Sequence, residues 1–223
     1  DYRWTGVLMT NVARRMHGLS LHHYSLPTGS WRGSKGSATQ FREDQWFSTL
    51  RNALRMEELV TRHSEIMERS DPQNRIGLMV DEWGTWYDVE PGTNPGFLFQ
   101  QNTLRDAIVA GSTLNIFNNH AERVKMANIA QMVNVLQAMI LTDSEMMVLT
   151  PTFHVFEMYT VHQGATLLPS ELQSVDYTFG SGKLPAVNAS ASRDAAGKIH
   201  VTLCTLNPNA PAEITCSLQG AKA

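Results

Sequence analysis

The sequence predicts an α/β region with parallel strands, followed by a region made only of β-strands. In the first part, short apolar runs alternate with longer segments of helical periodicity. Such an order of strands and helices produces βα units whose strands are parallel. After Gly164 the segments become short, rich in β-branched residues and separated by turn signals, which favours antiparallel pairing.

The first elements are a helix, a strand, a loop and a long helix. Apolar residues predict a helix at residues 7–16 and a strand at residues 19–24. Residues 28–39 are polar and glycine-rich but lack the ending of a phosphate-binding loop, so we expect a surface or lid loop. Residues 43–70 combine an apolar stripe with acids in the first turn, as a stable helix does.

The central strand lies in residues 75–87, RIGLMVDEWGTWY. Its apolar run ends abruptly in acidic and aromatic residues, as a buried parallel strand does where it delivers side chains to a site. By period-two alternation Glu82 shares a face with Leu78 and Val80, so we expect it to point toward the buried side. A carboxylate in that position needs hydrogen-bond partners.

Further elements complete both regions. We expect helices at residues 101–117 and 151–162, and strands at residues 124–131, 146–150, 166–172, 184–191, 198–206 and 213–218. The last four strands are fewer than a closed sandwich needs. Cys204 and Cys216 lie symmetrically about a turn, so they would face each other in a hairpin. Two small buried thiols are the simpler interpretation, and a strained disulfide is the alternative.

Composition limits the classes of partner. The 223 residues are 42% hydrophobic and carry a formal net charge of -3, which suits one large or two modest globular domains. The chain has no basic run that would favour nucleic acid, and no apolar stretch near the ~20 residues of a membrane span. It starts at Asp1 without a leader pattern. The sequence does not decide whether the protein is cytoplasmic, periplasmic or secreted. The cytoplasm is our first expectation.

Polar side chains end three of the predicted strands. His22 and Tyr24 are two residues apart on the first strand and therefore share a face, whereas His23 points the other way. Glu82 ends the central strand, and Gln131 ends the next one. In a βα barrel the C-terminal ends of the strands open onto one face, where catalytic residues gather. We therefore expect His22, Tyr24, Glu82 and Gln131 to meet.

Four segments carry more specific motifs: LSLHHY, VDEWGTWYDVEPGTNPGF, TLRDAIVAGSTLNIFNNHAERVKMANIAQMVNVLQ and LTPTFHVFEMYTVHQGA. Together they closely resemble the α-L-arabinofuranosidases of glycoside hydrolase family 51, almost continuously from Asp1 to about Leu172. The resemblance implies the C-terminal part of a (β/α)8 TIM barrel at residues 1–163. It also implies part of a jelly-roll-like β-sandwich at residues 164–223.

The resemblance also implies an activity. A retaining hydrolase of this family needs neither cofactor nor metal, and it releases terminal arabinofuranosyl groups from arabinoxylan, arabinan or their oligosaccharides. Matched position by position, Glu82 falls on the catalytic nucleophile and Tyr24 on the tyrosine that hydrogen-bonds it. His22, Trp86 and Gln131 match residues of the sugar pocket.

One feature of the family is missing. The Asn-Glu pair that supplies the acid/base is expected before Asp1, and no Asn-Glu dipeptide occurs in the sequence. We therefore expect a fragment that is inactive alone and needs the N-terminal remainder of the enzyme, in the same or a second chain. A homo-oligomer is also expected, because exposed barrel edges favour association.

Simpler interpretations stand beside these. Glu82 can be a structural acid at a strand end, and the chain a non-catalytic carbohydrate-binding or assembly fragment. Another retaining hydrolase of the same barrel clan is a weaker alternative. Trp86 and Tyr87 either stack on a sugar or only cover the rim. His154 and Glu157, three residues apart, suit a helix-face hydrogen bond better than a metal site.

Overall fold

The computed structural model describes residues 1–220 and begins with alternating helices and strands. This part contains α1 (Tyr2–Val12), β1 (Gly18–Ser25), α2 (Glu43–Glu68), β2 (Gly77–Thr85), α3 (Leu104–Asn119), β3 (Val124–Ile129), β4 (Ile140–Asp143), β5 (Met146–Leu149) and α4 (Pro151–Tyr159). Strands β1, β2 and β3 form a parallel sheet in that order. The predicted βα order is confirmed, and the sheet does not close into a barrel within the described residues. None of the helices among them is long and apolar enough to cross a membrane.

Helices α2 and α3 cover one face of the parallel sheet. Leu78 and Val80 of β2 are fully buried in a core that also contains Met56 and Val60 of α2 and Ala110 of α3. Burial of each large apolar side chain contributes roughly 1.5–3 kcal/mol, so the apolar stripe of α2 fixes which face of the sheet turns inward. The opposite face carries Ser20 and His22 of β1 and the two acids at the end of β2.

A β-bulge in β2 changes the expected alternation of side chains. Between Met79 and Glu82 the pairing advances three residues on β2 but only two on β1. The pairing with β3 shifts at the same place, between Val80 and Trp83. Because a bulge inserts one extra residue, the side chains beyond it change phase. Trp83 joins Val80 in the core and Glu82 faces away from it, so the prediction that Glu82 and Val80 share a face is wrong.

The strands in the rest of the chain pair in antiparallel orientation, as predicted. Its strands are β6 (Thr166–Leu167), β7 (Asp176–Phe179), β8 (Gly182–Pro185), β9 (Val187–Arg193) and β10 (Ile199–Thr205). Strands β6, β9 and β10 form one sheet, while β7 pairs with β8 and, earlier in the chain, β4 pairs with β5. Neither β4 nor β7 was predicted.

The strand predicted at residues 213–218 is absent. Ile214 and Leu218 are exposed there, so the β-branched content of the segment has no face to bury. Cys204 is buried and Cys216 is exposed, and both are free. The prediction that the two cysteines face each other as buried thiols is therefore wrong.

The antiparallel sheet packs on helices α2 and α3. Trp46 of α2 donates its indole N–H to the carbonyl of Leu206 at 2.9 Å. The side-chain oxygen of Asn115, on α3, accepts hydrogen bonds of 2.7 Å from both Ser190 and Thr202. Because these polar groups pair with each other inside the interface, they fix the orientation of the sheet on the helix.

Candidate active site

Glu82 lies at the C-terminal end of β2, next to the end of β1. Tyr24 donates a hydrogen bond of 2.5 Å to Glu82 Oε1, and His22 Nδ1 lies 2.8 Å from Glu82 Oε2. The side chains of His22 and Tyr24 thus lie on one face of β1, as predicted. Burial and the bond to Glu82 raise the pKa of Tyr24 well above its usual value, so the phenol stays protonated and acts as the donor.

Asp81 belongs to the same cluster, and sequence reasoning missed it. Its Oδ1 lies 3.2 Å from His22 Nε2 and accepts a hydrogen bond of 2.7 Å from Ser20. Strict alternation would place Asp81 and Glu82 on opposite faces, but the bulge lets both acids face β1. Each ring nitrogen of His22 therefore faces a carboxylate. Two consecutive acids at a strand end were the only signal in the sequence.

Three aromatic rings, those of Tyr24, Trp31 and Trp86, form a corner beside the carboxylates; we call them the aromatic corner. The ring centroids lie 4.9 Å apart for Tyr24 and Trp86, 6.1 Å for Tyr24 and Trp31, and 5.3 Å for Trp31 and Trp86, all edge-to-face. Trp86 is thus next to Tyr24. Trp31 comes from the predicted lid loop, and no pattern in the sequence singled it out.

Tyr87 is not part of the aromatic corner. Only 2% of its surface is exposed, and its ring packs against the Arg105 guanidinium, 4.1 Å from the ring centroid. Burial raises the pKa of its hydroxyl well above the usual value. The alternative that Tyr87 stacks on a sugar is therefore wrong, because the ring has no accessible face.

Gln131 follows β3, the strand that pairs with β2. Its backbone N–H donates to the carbonyl of Val135 at 3.0 Å, so the chain turns tightly just beyond the strand. The residue lines a cavity of about 770 Å³ together with Phe97 and Asp143. Within residues 1–220, the polar contacts of Glu82 are with Tyr24 and His22 and do not include Gln131.

Two other histidines have structural partners. His23 Nε2 lies 2.7 Å from the carbonyl oxygen of Asn52, on α2, and burial lowers its pKa; it points away from His22, as predicted. His154 Nδ1 lies 3.4 Å from Glu157 Oε2 on the exposed face of α4. In the part of the chain that the structure describes, no three His, Cys, Asp or Glu side chains form a group that could hold a metal.

The arrangement around Glu82 holds the carboxylate in place. Each of its oxygens faces a different partner, Tyr24 or His22. The Glu82 side chain is 38% exposed, so a substrate can approach it. A carboxylate with these properties can act as a nucleophile or as a general base.

Known proteins resemble the chain over most of its length. An intracellular exo-α-L-arabinofuranosidase of Bacteroides ovatus is 50% identical to it over 224 residues, which cover 100% of this chain and 43% of the relative. The crystal structure of a GH51 arabinofuranosidase from Xanthomonas axonopodis pv. citri matches with a TM-score of 0.90 and 54% identity, over 92% of this chain and 41% of the other.

A more distant structure shares the fold. The arabinose complex of the Thermotoga maritima α-L-arabinofuranosidase matches with a TM-score of 0.69 at 20% identity, over 91% of this chain and 41% of the other. The chain therefore spans less than half the length of these relatives. A sequence model of the α-L-arabinofuranosidase C-terminal domain matches residues 81–223. The chain belongs to this α-L-arabinofuranosidase family.

Proposed function

We propose that this chain provides the nucleophile of a retaining α-L-arabinofuranosidase. Its substrates would carry terminal arabinofuranosyl groups, as arabinoxylan, arabinan and their oligosaccharides do. The observation that carries the proposal is the Glu82 carboxylate, held by Tyr24 on one oxygen and by His22 on the other. The arabinofuranosidases among its relatives support the substrate class.

The reaction would proceed in two displacements. In the first, a Glu82 oxygen forms a bond to the anomeric carbon while the glycosidic C–O bond breaks, and the leaving oxygen takes a proton from a general acid. In the second, the group that gave up its proton acts as a base and removes a proton from water. The water oxygen bonds to the anomeric carbon, and the bond between this carbon and Glu82 breaks. Each displacement inverts the carbon, so the product retains the original configuration.

Tyr24 and His22 would prepare Glu82 for attack. A partner on each oxygen limits rotation of the carboxylate. His22 is in turn held by Asp81, 3.2 Å from its other ring nitrogen. We assign Trp86 to the wall of the sugar pocket because it packs against Tyr24. Gln131 would contact sugar hydroxyls, which requires the substrate to reach toward the end of β3.

The acid/base would come from the N-terminal remainder of the enzyme, in the same or a second chain. Retention needs a second carboxyl group about 5–5.5 Å from the nucleophile. Within residues 1–220, the other carboxylate in contact with this cluster is Asp81, the neighbour of Glu82 along the strand. In the part of the chain that the structure describes, β1 and β3 each pair with β2 alone, so both sheet edges can accept further barrel strands.

The proposal extends to the organisation of the protein. We assign a partial barrel to residues 1–163 and a partial sandwich to residues 164–223, of which residues 221–223 lie outside the described residues. The proposal also includes association of the complete enzyme into a homo-oligomer. A cytoplasmic location is supported by relatives whose names call them intracellular.

Hydrolysis of an aryl α-L-arabinofuranoside tests the activity. The samples are the chain alone, the chain with the N-terminal portion of the Bacteroides ovatus relative, and the same mixture with Glu82→Ala. We expect turnover only in the second sample, with an unchanged circular dichroism spectrum for the variant. Full turnover by the Glu82→Ala mixture would show that Glu82 is not the nucleophile.

A non-catalytic carbohydrate-binding or assembly fragment is the second candidate. Among the described residues, the contacts of this cluster include no carboxylate opposite Glu82, and this favours the second candidate. Such a fragment would bind arabino-oligosaccharides reversibly and would remain inactive when the N-terminal portion is supplied. Turnover by the mixture would exclude it.

A further inference from the structure

Trp31 is an exposed tryptophan that the proposed reaction does not yet use. Its side chain is 58% exposed, although its edge-to-face contacts with Tyr24 and Trp86 place it in the aromatic corner. A large apolar ring held open to solvent beside polar groups is typical of a surface that binds a ligand.

Hydrogen bonds at residues 35–37, on the C-terminal side of Trp31, anchor the loop that carries it. The Asp88 carboxylate accepts a hydrogen bond of 2.8 Å from the backbone N–H of Lys35, and the Asp88 N–H donates to the carbonyl of Gly36 at 3.0 Å. The buried Arg105 guanidinium donates to the carbonyl of Ser37 at 3.0 Å. These bonds tie the loop to the segments that follow β2, so the position of Trp31 is set before a ligand arrives.

The backbone next to Trp31 also depends on two glycines. Gly29 and Gly33 have φ angles of +66° and +72°, a conformation that other residues rarely adopt. A Cβ at Gly33 would meet nothing within 4 Å, so the requirement is conformational and not steric. The glycines flank the tryptophan and shape the turn that presents it.

We propose that Trp31 binds the sugar ring on the leaving-group side of the scissile bond, by stacking its exposed face on that ring. This inference rests on the proposed function and extends it. The arabinofuranose must lie on Glu82, and Tyr24 lies between Glu82 and Trp31. In the proposal, the ring that reaches Trp31 is the next one along an oligosaccharide. Furanose and pyranose rings both present apolar C–H faces that suit an indole.

Polar groups near Trp31 can hold the hydroxyls of the same ring. A cavity of about 230 Å³ is lined by Trp31 and Tyr24 together with Asn52 and Arg55 of α2. An aromatic platform with a few polar groups at its edge is the usual composition of a small-molecule site. Trp31 would therefore determine preference among leaving groups and would take no part in the chemical step.

Binding to the 223-residue chain is the first test, because it does not require the acid/base. Titration calorimetry would compare arabinotriose with methyl α-L-arabinofuranoside, using Trp31→Ala, Trp31→Phe and Trp4→Ala. Trp4 is 59% exposed on α1 and is the matched control. We expect Trp31→Ala to weaken arabinotriose binding about tenfold, the scale of one aromatic contact. The Trp31→Phe variant should keep most of the affinity, and Trp4→Ala all of it.

The kinetic test uses the mixture with the N-terminal portion. Trp31→Ala should raise KM for arabinotriose about tenfold while kcat/KM for the methyl glycoside changes less than about twofold. An equal loss on both substrates, or no loss of arabinotriose binding, would overturn the inference. Failure of the proposed function would give a different result. Either the wild-type mixture would show no turnover, or the Glu82→Ala mixture would show full turnover.

Discussion

Tyr24 on β1 donates a hydrogen bond of 2.5 Å to Glu82 on β2. The two residues are 58 positions apart in the chain, and parallel pairing of the two strands brings them together. Burial and this bond raise the pKa of Tyr24, so the phenol stays protonated. Tyr24 is therefore the donor, and the Glu82 oxygen is the acceptor.

Loss of the Tyr24 hydroxyl should slow the reconstituted enzyme. Hydrogen bonds to charged groups contribute roughly 1.5–3 kcal/mol, so Tyr24→Phe should reduce kcat/KM about ten- to hundredfold. Tyr2→Phe, which loses only a long exposed contact of 3.4 Å with Glu58, is the control. A kcat/KM equal to that of wild type would remove Tyr24 from this role.

Asp71 should make the free energy of unfolding depend on pH in the acid range. Burial alone would raise its pKa, but the Ile76 N–H at 2.7 Å and the Arg123 guanidinium at 3.0 Å outweigh burial and lower it. The folded state therefore binds this proton more weakly than the unfolded chain, whose Asp pKa is about 3.9. The stabilisation is present above that pH and is lost as the pH falls through the folded pKa.

Urea unfolding of wild type and Asp71→Asn, measured from neutral to acid pH, tests the direction of this pH dependence. The variant should be clearly less stable than wild type at pH ~7, and the difference should shrink as the pH falls below about 4. Asp176→Asn is the control, because its pair with Lys183 is exposed and such pairs contribute about 0–1 kcal/mol. A constant difference at every pH would contradict the linkage.

Asn115 should hold the antiparallel sheet on α3. Its side-chain oxygen accepts bonds from Tyr159, Ser190 and Thr202 at 2.7–2.9 Å. Since Asn115→Ala removes the acceptor that these three hydroxyls share, it should lower the free energy of unfolding by about 1–3 kcal/mol.

Asn119 is the matched control on the same helix. Its amide donates to the carbonyl of Ala189 at 3.0 Å in an exposed position, so Asn119→Ala should cost about 0.5 kcal/mol or less. Chemical denaturation measures both values. Equal losses in the two variants would mean that the buried network does not determine how the sheet docks.

The sequence predicted the strands β1, β2 and β3 and their helices because both periodicities are clear there. It also placed His22 and Tyr24 on one face, since β1 alternates strictly at that point. The same rule failed in β2, where one extra residue between Val80 and Trp83 changes the phase. A bulge depends on pairing with neighbouring strands, and the pattern of a single strand does not contain that information.

Other features depend on contacts between distant parts of the chain. Trp31 reaches the site because Asp88 and Arg105 anchor its loop, and neither contact leaves a local pattern. The role of Gln131 stays a prediction, because its side chain makes no hydrogen bond to Glu82 within the described residues. The segment at residues 213–218 has strand-like composition, yet it finds no partner strand within the described residues.

Covalent labelling of Glu82 tests the central claim most directly. An arabinofuranosyl fluoride with fluorine at position 2 has a good leaving group, so its first displacement needs no general acid. The protein would be incubated with it and mapped by peptide mass spectrometry. We predict one label, on the peptide that contains Glu82, and none in Glu82→Gln. A label on another side chain, or one that persists in Glu82→Gln, would contradict the account.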